Sequence, residues 1–114
     1  MRTGNGDCFP AALNLLLEFH ALRQLTSSEP VLVHGIVTGQ GKIDGVQHWH
    51  AWVEIGDTVI DRSNGKDIKL PKGLYYSIGK IDQTWRYTPD EAWSEATDND
   101  HYGPWIDNWE EMAC

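Results

Sequence analysis

The stretch "HWHAWVEI", residues 48–55, followed by Gly56-Asp57 and "TVIDR", residues 58–62, constrains the fold more than any other part of the chain. Both flanks are rich in β-branched and aromatic residues, and a Gly-X pair between two such runs predicts a hairpin with a type II′ turn. A turn at Gly56-Asp57 pairs Ile55 with Thr58, which places Asp61 opposite Trp52 and Ser63 opposite His50. Side chains alternate along a strand, so His48, His50, Trp52 and Glu54 share one face and Asp61 joins them. His50 and Asp61 are then diagonal neighbours with Cα atoms about 7–8 Å apart, within reach of a hydrogen bond. Ala51, Val53 and Ile55 form the more apolar opposite face, in tension with the expectation that Cys8, at the mouth of the preceding helix, lies within contact range of His50 with Asp61 behind the imidazole.

That helix precedes the hairpin. Ala12, Leu15, Leu16, Phe19 and Leu22 recur at helical spacing, and Leu13 and Leu17 widen the stripe. Asp7 fits the N-cap position and Pro10 the first turn, where a missing N–H costs nothing. Thr26-Ser27-Ser28-Glu29-Pro30 turns the chain into "VLVHGIV", residues 31–37, which reads as a central strand. Residues 38–45 hold three glycines and read as a flexible connection. "LYYSIG", residues 74–79, reads as a strand after the Pro71-Lys72-Gly73 turn, and "QTWRY", residues 83–87, as one more. Thr88 as N-cap, Pro89 at the first helical position and Glu91 completing a capping box predict a helix running to about residue 97. Trp105 and Trp109 then lie one helical turn apart. The order predicts an α+β fold: an N-terminal core helix on a small antiparallel sheet, with a helical C-terminal tail. Residues 1–114 are expected to form one domain, with a core over 4–88 and an acidic, Trp-containing tail over 89–114.

The charge is uneven. The chain has 17 Asp and Glu against 9 Lys and Arg, a net charge of −8. Residues 89–114 hold eight of the acids and none of the bases, so the rest of the chain is neutral. That sign argues against nucleic acid as a partner. The tail reads either as a solvated surface or as a docking surface for a basic protein. No apolar run approaches the ~18 residues of a membrane span, and Met1-Arg2-Thr3 leads into glycines, so neither a membrane anchor nor a signal peptide is expected. Cys8 and Cys114 are the only cysteines, and two free thiols in a reducing, cytoplasmic setting are preferred to a bridge between them.

Cys8 stands at the mouth of the apolar helix. There the helix dipole and unpaired N–H groups favour thiolate over thiol, and the same N–H groups are able to hold an oxyanion. Gly4 and Gly6 allow close backbone approach to a substrate. The negative charge of Asp7 opposes thiolate formation unless it is turned away as the cap. Each residue also has a plain reading: Cys8 as a small buried hydrophobe, His50 as a core or surface histidine, Asp61 as part of a turn. Together, a Cys at a helix mouth, a His on one strand and an Asp on the next read as nucleophile, base and orienting acid. His34, His48, His50, Asp61 and Cys8 form a second candidate set, for a metal, but no further closely spaced pair completes it. No metal and no cofactor is expected.

"GDCFPAALNLLLEF … HWHAWVEIGDTVIDRSNG" resembles the transglutaminase-like and papain-like cysteine peptidase superfamily. The bacterial peptidases that cut leader sequences from lasso-peptide precursors are especially similar, with the same His-Ala-Trp-Val-Glu hairpin ending in Asp. The resemblance covers about residues 4–65 and is most specific over 48–61. It implies a thiol hydrolase with Cys8 as nucleophile, His50 as general base and Asp61 as orienting acid, supported by Trp52. Seven residues precede Cys8, so Asn5 or backbone N–H groups would take the role of a papain-type oxyanion glutamine. "GNGDCF" is also similar to the Gly-Asp-Cys segment of ovarian-tumour-type deubiquitinases, which place their His near the end of the chain. The expected reaction is attack on a peptide or protein carboxamide through an acyl-enzyme, by a monomer, with protease, deamidase and amine transferase left open. The alternative is a non-catalytic acidic binding module on a degenerate peptidase fold, such as a phage or bacterial effector that occupies a basic partner.

Overall fold

The computed structural model describes residues 8–21, 29–38, 47–62, 67–101, 103 and 105. Its elements are α1 (Cys8–Ala21), β1 (Val31–Thr38), β2 (Gln47–Ile55), β3 (Thr58–Asp61), β4 (Ile68–Pro71), α2 (Lys72–Gly79), β5 (Thr84–Tyr87) and α3 (Pro89–Asn99). The strands form one antiparallel sheet in the order β4-β3-β2-β1-β5, so the fold is α+β.

The hairpin has the expected register, with Val53 opposite Ile60, Glu54 opposite Val59 and Ile55 opposite Thr58. Gly56 has φ 59° while Asp57 is not in the positive-φ region, the combination a type II′ turn requires. β1 lies inside the sheet between β2 and β5.

Both faces of the sheet are covered. On one, α1 sets Phe9, Ala12, Leu13, Leu15 and Leu16 against Leu32, Trp49, Ala51, Val53 and Ile60. On the other, Val33, Val37, Trp52 and Val59 pack under Tyr75, Tyr76 and Ile81. Gly35 is required on this second face, because a Cβ there would come within 2.6 Å of the Trp52 ring.

One expectation is corrected. Residues 74–79 belong to α2, not to a strand. Pro71 at its N-cap position presets the turn into the helix, and Lys80 ends it in the left-handed region with its N–H on the Ser77 and Tyr76 carbonyls. The strand in this region is β4, one segment earlier. α3 begins as expected, with Thr88 and Glu91 forming the capping box, and ends at Asn99. Ala92 is fully buried, α3 packs on α1, β1 and β5, and Trp105 stacks against His34 and Tyr87. The expectations for Asp7 as N-cap, for residues 39–45 as a connection and for Trp109 lie outside the described residues, as does Asn5. No described helix is long and apolar enough to cross a membrane.

Candidate functional site

The register of the hairpin brings His50 and Asp61 together. His50 Nε2–H donates to Asp61 Oδ2 at 2.8 Å, and Tyr75 Oη–H donates to the same oxygen at 2.7 Å. The carboxylate therefore fixes the His50 tautomer, leaving the lone pair on Nδ1, which is buried without a hydrogen-bond partner among the described residues. Burial and the Asp61 charge push the Tyr75 hydroxyl far above its ordinary pKa, so Tyr75 acts here only as a donor. His48, beside His50 with ring centroids 6.2 Å apart, places Nδ1 3.0 Å from the Trp49 carbonyl oxygen. Burial is the main cause holding its pKa below the usual value.

Trp52 and Glu54 continue this face. Glu54 is buried, and its carboxylate accepts from Trp52 Nε1 at 3.0 Å, Tyr76 Oη at 2.5 Å and Arg86 Nη2 at 2.6 Å, with Lys72 Nζ at 3.5 Å. These donors outweigh burial and hold the carboxyl below its ordinary range. Trp52 thus braces a buried carboxylate. Its N–H is committed to Glu54 and does not support an oxyanion.

Cys8 lies elsewhere. It is fully buried and packs in the α1 cluster with Ala51 and Val53, whereas His50 shares its face with Trp52. Cys8 therefore belongs to the α1 side of the sheet and His50 to the face that carries Trp52 and Asp61. The physical reason is the alternation of β2: the apolar Ala51/Val53 face takes the apolar helix, and Cys8 goes with α1. The expectation of a free thiol at Cys8 is also corrected, since Cys8 is disulfide-bonded. The chain's other cysteine, Cys114, lies outside the described residues. A bonded Cys8 removes the argument from free thiols to a reducing compartment. The sheet likewise divides the candidate metal ligands, with Cys8 and His34 on one side and His48, His50 and Asp61 on the other.

Tyr75, Tyr76 and Arg86 were not among the residues singled out in the sequence. Reading residues 74–79 as a strand hides the adjacent tyrosines; a proline ahead of Leu74 and Ile78 at i, i+4 spacing is the helical signal that finds them.

A second feature lies between α1 and α3: an open groove of about 270 Å³ lined by Leu13, Trp93, Ala96, Thr97, Asp100 and His101. Trp93 is 59% exposed, more than any other large apolar side chain described. A scan of protein-family models, a search of curated proteins and a search of solved structures each find no match to this chain.

Proposed function

We infer that this chain is a binding module on an α+β, peptidase-like scaffold, and that it acts through its acidic surface rather than through thiol catalysis. One observation carries the reading: Cys8 is buried, disulfide-bonded and across the sheet from His50 and Asp61. A nucleophile needs access and an ionisable thiol, and a buried, bonded Cys8 offers neither. The net charge of −8 and the absence of Lys and Arg after residue 88 favour a basic partner.

A second reading, the thiol hydrolase, is favoured by the His50–Asp61 pair, whose tautomer leaves Nδ1 as a base. In that reaction the Cys8 thiolate attacks a carboxamide carbon and the imidazolium protonates the departing amine. Water then cleaves the thioester, releasing acid and restoring the thiol. It requires reduction of the disulfide and a rearrangement that brings α1 and His50 to one side of the sheet.

Alkylation separates the two. The native protein is treated with iodoacetamide before and after mild reduction, and labelling at Cys8 is followed by mass spectrometry in wild type and His50→Ala. The binding reading expects slow labelling of reduced Cys8, unchanged by His50→Ala. Fast labelling at neutral pH that His50→Ala slows would overturn it in favour of the hydrolase.

A further inference from the structure

We propose that the groove between α1 and α3 receives a lysine or arginine side chain from a basic peptide segment, with its charged head between the Trp93 ring and Asp100; this rests on the binding-module reading above. Four observations converge there. The groove takes an apolar lining from Leu13 of α1 and Ala96 of α3 and is open to solvent. Trp93 presents its indole in the open, and indole is the aromatic surface that attracts cations most strongly. The two helices that form it, together with Asp100, carry six carboxylates and no Lys or Arg. Apolar walls with a carboxylate at one end match the shape of a lysine or arginine, an aliphatic stem with a cationic head.

The fourth observation is the placement of the acids. α3 ends with Asp98 in its last turn and Asp100 at its C-cap, and no basic residue stands in that turn. A helix C-terminus carries partial negative charge, so carboxylates there are unfavourable to the isolated protein. Asp100 also holds a left-handed backbone, φ 60°, a conformation asparagine adopts at least as readily. Neither carboxylate has a cationic partner among the described residues. Glu91 and Glu95, by contrast, are occupied by the Thr88 N–H and the Asn99 amide. A cation in the groove would relieve both the mutual repulsion and the clash with the helix dipole.

This arrangement makes a prediction that a structural role does not share. Asp100→Asn should make the free protein more resistant to thermal unfolding, while weakening its grip on a cation. The probe is the peptide Gly-Lys-Arg-Lys-Gly, titrated into the full-length chain at low and at physiological ionic strength. Binding is followed by NMR at the Trp93 indole N–H and the amides of Ala96, Thr97 and Asp100. The expected result is saturable shifts at those positions that weaken with salt, a loss of roughly tenfold in affinity for Trp93→Ala, and a smaller loss for Asp100→Asn. Gly-Glu-Gln-Glu-Gly should give no shifts.

If the basic peptide binds but Trp93→Ala leaves the affinity unchanged, the attraction is to the overall charge and the groove is wrong, while the binding-module reading stands. If no binding occurs, the groove proposal falls, and alkylation of Cys8 still decides the reading beneath it. Concentration-dependent association in sedimentation that Trp93→Ala abolishes would also overturn the proposal, by making a second copy of this chain the occupant. Circular dichroism of Trp93→Ala checks that α3 remains folded.

Discussion

His34 offers a test of the core that needs no knowledge of a ligand. It sits on β1 with its ring 4.9 Å from Phe9, 5.2 Å from Tyr87 and 4.8 Å from Trp105, and it is 1% exposed. Neither ring nitrogen has a hydrogen-bond partner among the described residues. Burial lowers its pKa from 6.5 to about 3, because nothing in this aromatic box compensates a charge. The unfolded chain takes up a proton as pH falls below 6.5 and the folded chain does not, so acid favours unfolding. The contribution of His34 is complete above about pH 6.5 and is lost as pH falls toward 3, at about 1.4 kcal/mol per pH unit, or about 2 kcal/mol by pH 5. His34→Leu keeps a similar volume and removes the titration. It exchanges two unpartnered nitrogens for lost ring contacts, terms of about 1 kcal/mol each with opposite signs, so its stability at pH 7.5 should change little. Urea unfolding of both proteins at pH 7.5 and pH 5.0 gives the comparison. Wild type should lose about 2 kcal/mol more than the variant between the two pH values. Equal losses would mean that His34 takes up its proton in the folded state, and the dry, partnerless box would be refuted.

Two further substitutions test the opposite face. Gly35→Ala should destabilise by about 1–3 kcal/mol in urea unfolding, since its Cβ would meet the Trp52 ring at 2.6 Å and the Gln83 carbonyl oxygen at 3.2 Å; an unchanged midpoint would show that Trp52 does not occupy that space. Glu54→Gln should cost about 2–3 kcal/mol at pH 7, because the Arg86 and Tyr76 donors lose an ionised acceptor. The Glu54 carboxyl is held below its ordinary value, so its contribution is present above about pH 4.5 and fades as pH falls through the folded-state pKa. A deficit that persists unchanged at pH 3 would count against the ionised network.

What the sequence revealed follows how local the interactions are. Gly56 marks the hairpin turn and thereby the diagonal pairing of His50 with Asp61, because register propagates from a two-residue turn. Thr88, Pro89 and Glu91 likewise announce α3 within four residues. Less legible was what depends on residues far apart. Tyr75 and Tyr76 read as strand residues by propensity, yet in α2 they close over Trp52. Propensity yields there to the Pro71 turn and to the packing that the second face of the sheet demands. His34 carries no local sign of its burial, which depends on Phe9, Tyr87 and Trp105 from three other parts of the chain.

The separation of Cys8 from His50 follows from one strand. Ala51 and Val53 make one face of β2 suited to an apolar helix, and α1 is the described helix with enough apolar surface to cover it. His50 and Trp52, one residue out of phase, must then point away from α1, and the Asp61 partner in register points with them. A change of side-chain rotamer does not carry a group through a hydrogen-bonded sheet. Joining Cys8 to His50 would require either α1 to leave its face or β2 to slip by one residue between His50 and Ala51, as a β-bulge allows. β2 is instead paired with β1 residue by residue from Gln47 to Glu54, with Gly35 opposite His50 and His34 opposite Ala51. The hairpin therefore supplies an oriented imidazole, and its regular pairing with β1 holds that imidazole on the face that α1 does not cover.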